Sequence, residues 1–519
     1  EAEYRKLSIS QVRRLCLVLA VVTGHPRSDS REELIAINPG RGMSGEPTAH
    51  KRPVSVWTKA TYGFGAAAYG IKNNGFDYFF LIFYSQVMGV SAYLVSLALL
   101  IALTFDAVSD PLIGFLSDNT RSRWGRRHPY MYAAAVPVAI GYFFVWNPPS
   151  SLNGDELFPF IVAISIVVRT LITLYEIPSS ALVAEITDDY DERTNMLTYR
   201  SFFGWTGGTL MATATTLLLL VPTDEISNGM FNVEGFNQMG LLGASLMFLV
   251  IISSALGTHG FIPNLKAPPP RRALSIKTIY LEIFETLATK SFLALFLAAM
   301  CGAIGSGVAA TLSYYVYTFI FEFSSQQIGY ISVSVVLSAI IAFVAAPLIG
   351  KTLGKKRGAI VVGLFAFTIV PAPVILWLLG LMPENGSPEL FPLYLCIIIV
   401  DVSLIITYQV MSGSMIADLV EEAELRTERR SEGIFFASVT FVRKITQGLG
   451  AAFAGLILTV SQFPAGATPG EVPNEVLRDF ALVYAPTLLT VWMLMIFCLS
   501  MYTVDRAQHE ENLKALGRT

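Results

Sequence analysis

The chain has 519 residues, 53% of them hydrophobic and only 14% charged. That is well short of the roughly 25% charge that a soluble domain carries, so a string of water-soluble domains is excluded and a polytopic membrane protein is indicated. The formal net charge of −3 gives no general case for binding nucleic acid, and the four cysteines, Cys16, Cys301, Cys396 and Cys498, form neither a disulfide framework nor a CxxC metal spacing.

Residues 1–58 read as a cytoplasmic N-terminal lead-in. Its apolar segment 15–22 is too short to span and is expected to lie on the surface as a helix, and residues 25–53 are rich in Gly, Pro, Ser and charge. A helix crosses the hydrocarbon core with about 20 mostly apolar residues. Twelve such stretches follow, at 62–86, 91–117, 129–147, 158–184, 196–221, 238–258, 290–319, 328–350, 358–380, 391–417, 434–459 and 480–503. They predict an all-α fold: an N-terminal six-helix half over 59–258, a cytoplasmic loop over 259–289, a C-terminal six-helix half over 290–503 and a cytoplasmic tail over 504–519. Six plus six parallel halves is the major facilitator arrangement.

A charge inside a span is costly, and so it is a functional-site hypothesis by default. Span 1 carries Lys72, Asn73, Asn74 and Asp77, part of which is expected to face a central cavity. Span 2 carries Asp106 and Asp110, spaced i and i+4 on one helix face, with Ser109 beside them. Two close carboxylates in low dielectric call for a shared proton or a bound cation, so H⁺ or Na⁺ is the expected coupling ion. Span 4 places Arg169, Thr173 and Glu176 on one polar stripe, with Tyr175 as a candidate solute contact and Pro178 just beyond. Arg200 sits near the inner end of span 5, where binding a polar solute group and snorkelling to the surface are both open. Span 11 carries Thr440, Arg443 and Lys444; Lys444 is expected to pair with Asp106 or Asp110 across the halves.

The loops fix the expected orientation. Arg121, Arg123, Arg126 and Arg127 crowd the loop after span 2, and Lys351, Lys355, Lys356 and Arg357 the loop after span 8, whereas alternate loops are nearly free of Lys and Arg. The positive-inside rule then puts both termini in the cytoplasm. Arg121, Arg123, Arg126 and Arg127 are also candidate gates, pairing with Asp118 or with helix-end carbonyls when the inner side closes. The halves repeat: residues 111–114 and 347–350 both read Pro-Leu-Ile-Gly, each closing a span before a basic loop. The chain carries no Walker, Rossmann, HExxH or nucleophile-elbow motif, so neither an enzyme nor an ATPase-driven pump is expected. Gly207 and Gly208 of span 5, and Gly302, Gly305 and Gly307 of span 7, fit close helix packing.

Residues 105–114, Phe-Asp-Ala-Val-Ser-Asp-Pro-Leu-Ile-Gly, are followed by Thr-Arg-Ser-Arg-Trp-Gly-Arg-Arg-His-Pro at 120–129. This pair resembles the DAxxDP motif and RxRxGRxxP loop of the glycoside–pentoside–hexuronide:cation symporter family, the major facilitator family of melibiose permease. The resemblance runs on through Glu176-Ile177-Pro178, Tyr199-Arg200-Ser201 and Lys444, and covers all twelve spans but not residues 1–55. It implies a cation site at Asp106, Asp110 and Thr173, beside which Ser109 is a candidate, with Thr440 matching a further threonine. It implies solute contacts at Glu176, Arg200 and Lys444, beside which Arg169, Asn73 and Tyr175 are candidates. Ser109 stands where melibiose permease has a Na⁺-holding asparagine, which favours H⁺ over Na⁺. Gly70 and Ser180 fall where that permease has a galactoside-binding acid and a stacking tryptophan, so coupling is kept while half of the galactoside recognition is absent. The implied function is cation-coupled symport of a sugar, glycoside or related polar or anionic solute by a monomer in a bacterial inner membrane, with no cofactor. A Na⁺-coupled lysophospholipid carrier and a non-transporting sensor with a carrier fold are the alternatives.

Overall fold

The computed structural model describes residues 54–187, 189–264, 290–427, 446 and 448–502. The expected surface helix at 15–22, most of the 259–289 loop, Thr440, Arg443, Lys444 and the 504–519 tail lie outside the described residues.

Among the described residues, helices form where the apolar stretches predict them, with edges set by local chemistry. The first span starts earlier than expected, at Val56, because the Ser55 hydroxyl accepts from the Thr58 N–H at 3.1 Å and caps it. It runs as Val56–Phe64 and Ala66–Asn74, then through wider π-helical turns at Gly75–Phe79 and Phe83–Val87. The second span is Ala92–Asn119, the third His128–Trp146 and the fourth Phe158–Ile186. The fifth span, Tyr190–Ala214, also starts earlier than expected, capped by the Asp189 carboxylate on the Glu192 N–H at 2.8 Å, and ends in a π turn at Thr215–Leu219. The sixth is Val233–His259, capped by Asn232.

In the second set, Lys290–Tyr315 continues into a π turn at Val316–Ile320. Ser325–Leu353 follows, started by a reciprocal capping box between Ser324 and Gln327. The ninth span is split into Lys355–Ile369 and Ala372–Leu378 around Pro371, and the tenth is Leu390–Thr427. The eleventh is described only as the apolar helix Gly448–Val460, and the twelfth is Asn474–Ser500. Among the described residues, nine helices are long and apolar enough to cross a membrane. The first span is too broken and the fifth too polar to count in that sense, and the eleventh is only partly described.

The helices before residue 264 pack chiefly on one another, as do those after 290. Small residues bring spans 1 and 5 into backbone contact: a Cβ added at Gly70 would strike the Gly204 carbonyl, and one at Gly207 would lie 2.6 Å from the Ala67 Cβ. Gly302 and Gly305 likewise face Met495 and Trp492 of span 12. Glycine at these positions exchanges side-chain volume for interhelical approach, as membrane helices require.

The halves meet at the end of the bundle where spans 1 and 7 finish. Gln86, 3% exposed, donates to the Tyr315 hydroxyl and the Pro464 carbonyl, both at 3.3 Å, and accepts from the Ala467 N–H at 2.9 Å. The Gly466 N–H donates to the Ser85 carbonyl at 3.0 Å, and Asn228 reaches the Phe323 carbonyl. Aromatic rings fill the seam, with Tyr314 edge-on to Phe79 at 4.9 Å. Span 2 touches span 11 through Ser96 at Gly455 and Leu103 at Gly448. Further along span 2, toward the basic loop, Val108, Leu112 and Phe115 are exposed.

Candidate functional site

A cavity lies between the halves at mid-bundle. Span 1 lines it with Tyr69, Lys72, Asn73, Phe76 and Asp77, span 2 with Leu99, Leu103 and Asp106, and span 4 with Arg169; spans 7 and 11 close it with Gly307, Thr311 and Ala451. The expectation that part of the polar cluster of span 1 faces inward matches this lining.

Asp106 and Asp110 converge with Thr173. The Thr173 hydroxyl lies 3.1 Å from Asp106 Oδ1 and 3.0 Å from Asp110 Oδ1, within donating distance of both. The i, i+4 spacing on span 2 creates the pair, and Thr173 meets it from span 4. One hydroxyl proton serves one carboxylate at a time, so three oxygens gather around a place where one more positive charge is favourable. Arg169 Nη1 approaches the other oxygen, Asp106 Oδ2, at 3.5 Å, and its guanidinium lies over the Phe76 ring at 4.9 Å. Thr173 and Arg169 are both buried, and Arg169 Nε has no hydrogen-bond partner. The described ion partner of Asp106 is thus Arg169 of its own half; the expected pairing with Lys444 lies outside the described residues.

Other expected residues divide in a different way. Ser109 turns its hydroxyl back onto the Asp106 carbonyl at 3.1 Å, into its own helix. Arg200 donates to the Ser179 hydroxyl at 3.0 Å and to the Glu176 backbone carbonyl at 3.4 Å. Glu176, Tyr175, Tyr62 and Tyr69 are its electrostatic neighbours. Tyr175 is fully buried and aims its hydroxyl at Gly65, where a Cβ would collide with it. Arg200, Glu176 and Tyr175 therefore form a group behind the cavity wall, adjoining the cavity lining at Tyr69.

At the basic-loop end, Arg126 and Arg127 each donate Nε to Glu185 Oε1 at 2.8 Å. Arg127 also pairs with Asp118 and donates to the Ser117 hydroxyl at 2.6 Å. The expected Arg–Asp118 pairing therefore exists, but as a brace within one half. Arg121 and Arg123 are exposed, the latter stacked on Trp124.

Sequence reasoning missed three residues. Glu185 closes span 4, and an acid at a span end looks interfacial. Gln86 gave no signal, being neutral. Asp401 lies mid-span in the tenth helix and is 4% exposed; the rule that singled out Asp106 applies to it equally.

The sequence profile of the family described as MFS/sugar transport protein matches residues 61–506. The inner membrane symporter YicJ of Escherichia coli (strain K12) is 28% identical over 417 residues, covering 79% of this chain and 84% of its own. A sodium-dependent lysophosphatidylcholine symporter of Danio rerio is 23% identical, covering 90% of this chain and 89% of its own. The solved D-xylose-proton symporter shares the fold with a TM-score of 0.57 at 14% identity, over 85% of this chain and 96% of that one. With twelve apolar stretches in the sequence, two packed halves around a charged cavity and a profile that spans nearly all of them, the chain belongs to the MFS/sugar transport protein family of multi-pass membrane carriers.

Proposed function

We propose that the chain is a cation-coupled secondary active symporter that moves a sugar, glycoside or related polar or anionic solute by alternating access. The observation that carries the reading is the convergence of Thr173 on Asp106 and Asp110 at 3.1 and 3.0 Å, at the edge of the cavity. A cation arriving there satisfies two carboxylates that share one hydroxyl proton. It thereby changes the electrostatics of Asp106, which itself lines the solute cavity beside Arg169 and Asn73. Binding of each ligand then favours binding of the other, which is the thermodynamic content of coupling.

In this reading the halves are 59–258 and 290–503, and they rock about the cavity. The seam at Gln86 is the outer gate and both termini are cytoplasmic. Asp118, Arg121, Arg123, Arg126 and Arg127 form the inner gate region. The cation site is Asp106, Asp110 and Thr173, with Thr440 from the other half. Solute is held by Arg169 and Asn73 in the cavity, with Lys444 of span 11 as a further contact and the Glu176, Arg200 and Tyr175 group supporting the wall. Ser109 spends its hydroxyl proton on the Asp106 carbonyl and is a shorter ligand than an asparagine amide, which favours H⁺ over Na⁺ as coupling ion. The carrier works as a monomer in an inner membrane.

Proteoliposomes test this with a panel of sugars, glycosides and uronides under an imposed pH gradient without Na⁺, and under a Na⁺ gradient at equal pH. Accumulation under the pH gradient is expected. Accumulation only with Na⁺ would reverse the choice of ion, and exchange without accumulation under either gradient would make the protein a uniporter. The zebrafish relative motivates one further arm, with a lysophospholipid as solute. Uptake there and not of the sugars would replace the polar-solute reading.

A further inference from the structure

Asp401 is the twelfth residue of the 24-residue apolar segment Leu390–Gly413, and so lies at its centre. Its side chain is buried and Oδ1 has no hydrogen-bond partner. The nearby hydroxyls are spent elsewhere: Ser338 and Ser403 both donate to the Ile399 carbonyl, at 3.1 and 2.6 Å. Its electrostatic neighbours are phenols: Tyr317 of span 7, Tyr394 of its own helix and Tyr484 of span 12. No Lys, Arg or His is ion-paired with it among the described residues. The basic residues at the start of span 9, Lys355, Lys356 and Arg357, stand at the far end of the bundle. No cluster of three metal-ligating side chains exists among the described residues. A lone carboxyl in such surroundings holds a proton more readily than a metal ion.

A chain of rings connects this acid to the outer seam. Tyr394 packs edge-on to Tyr317 at 5.8 Å, Tyr317 lies 6.0 Å from Tyr314, and Tyr314 meets Tyr78 and Phe79 of span 1 at 5.8 and 4.9 Å. Tyr317 stands in the π turn Val316–Ile320, next to the seam bonded through Tyr315 and Gln86. Tyr317, a neighbour of Asp401, thus sits in the turn that a separating seam would carry with it.

We propose that Asp401 is a second proton-binding site, in the C-terminal half and apart from the Asp106–Asp110 pair, whose proton is held while the Gln86 seam is closed and released when it opens. The inference rests on the alternating-access reading. It adds a proton that acts on the gate. By linkage, rising pH favours the open seam, with an open-to-closed ratio that changes by up to about tenfold per pH unit for one linked proton.

The test is a spin-label distance across the seam, with labels at Ser227 and Glu384 in a background lacking the native cysteines, read from pH 5 to 9 without solute. The longer-distance population is expected to grow with pH. Asp401→Asn, an uncharged isostere, is expected to lower that dependence by about one proton and keep the short distance dominant. Tyr317→Phe, which keeps the ring and the seam, reports on the packing alone and is expected to retain the pH response. A D401N profile that matches the parent, or a parent profile flat in pH, would overturn the proposal. Because no solute is present, failure of the symport reading would leave this measurement intact.

Discussion

The Thr173 hydroxyl makes the acid pair a site, because neither carboxylate alone would gather three oxygens. Thr173→Val keeps the shape and removes the proton donor. Loss of a hydrogen bond to a charged group costs about 1.5–3 kcal/mol, so the cation dependence of uptake should shift about 10- to 100-fold, toward tighter binding for H⁺, whose rival ionised form loses the donor, and toward weaker binding for Na⁺, which loses an oxygen ligand. Asp106→Asn goes further and removes the neutralisable charge. Gradient-driven accumulation should vanish while solute exchange partly survives, and uphill uptake near the parent level would show that coupling lies elsewhere. These residues were legible in the sequence because intramembrane charge is rare and helical spacing places i and i+4 together. The partner of Asp106 was not legible, since Arg169, Lys72 and Lys444 all lie in spans and only the packed structure brings Arg169 to 3.5 Å. Asp401 was legible by the same rule, although no second charged residue shares its span to mark it.

Among the elements, the first span shows most clearly how packing modifies sequence. Its apolar stretch was plain, but the π turns at Gly75–Phe79 and Phe83–Val87 follow from tertiary contacts that hydropathy does not encode. The glycines of spans 1 and 5 were partly legible: Gly207 and Gly208 were read as packing residues, while the partner, Gly70, needed the structure. Gly70→Ala should lower thermal stability markedly, because its Cβ would strike the Gly204 backbone, which cannot swing aside. Gly260→Ala, with open space around it, should be neutral in the same melting experiment. The brace of Arg126 and Arg127 on Glu185 belongs to this scale as well. Glu185→Gln strips the shared charge from two arginines, one of them buried. Breaking a buried ion pair from one side costs about 3–5 kcal/mol, so the variant should melt earlier, with the loss partly recovered in a double variant that also carries Arg126→Gln.

For the whole molecule, the twelve-span plan and its two halves could be read from hydropathy and loop charge, because the bilayer leaves few alternatives to helices of that length. The proposed orientation rests on the same loop charges and is testable. Cysteines placed at Ser150 and Ser227 should label from outside intact cells and one at Ala273 should not; the reverse pattern would invert the carrier. Which end of the bundle is shut was not legible, since it depends on side-chain amides and loop carbonyls meeting across the halves. The chemistry of that shut end has a consequence for salt. Its bonds at Gln86, Ser85 and Asn228 are between neutral groups, whereas the opposite end is dense with arginine and lysine. Mobile ions screen exposed charges beyond about 8 Å at 0.15 M and leave neutral hydrogen bonds untouched. Raising ionic strength should therefore act on the basic end alone, by screening the mutual repulsion of its arginines and lysines, and spare the Gln86 seam, so that salt moves the carrier's resting orientation through one gate only.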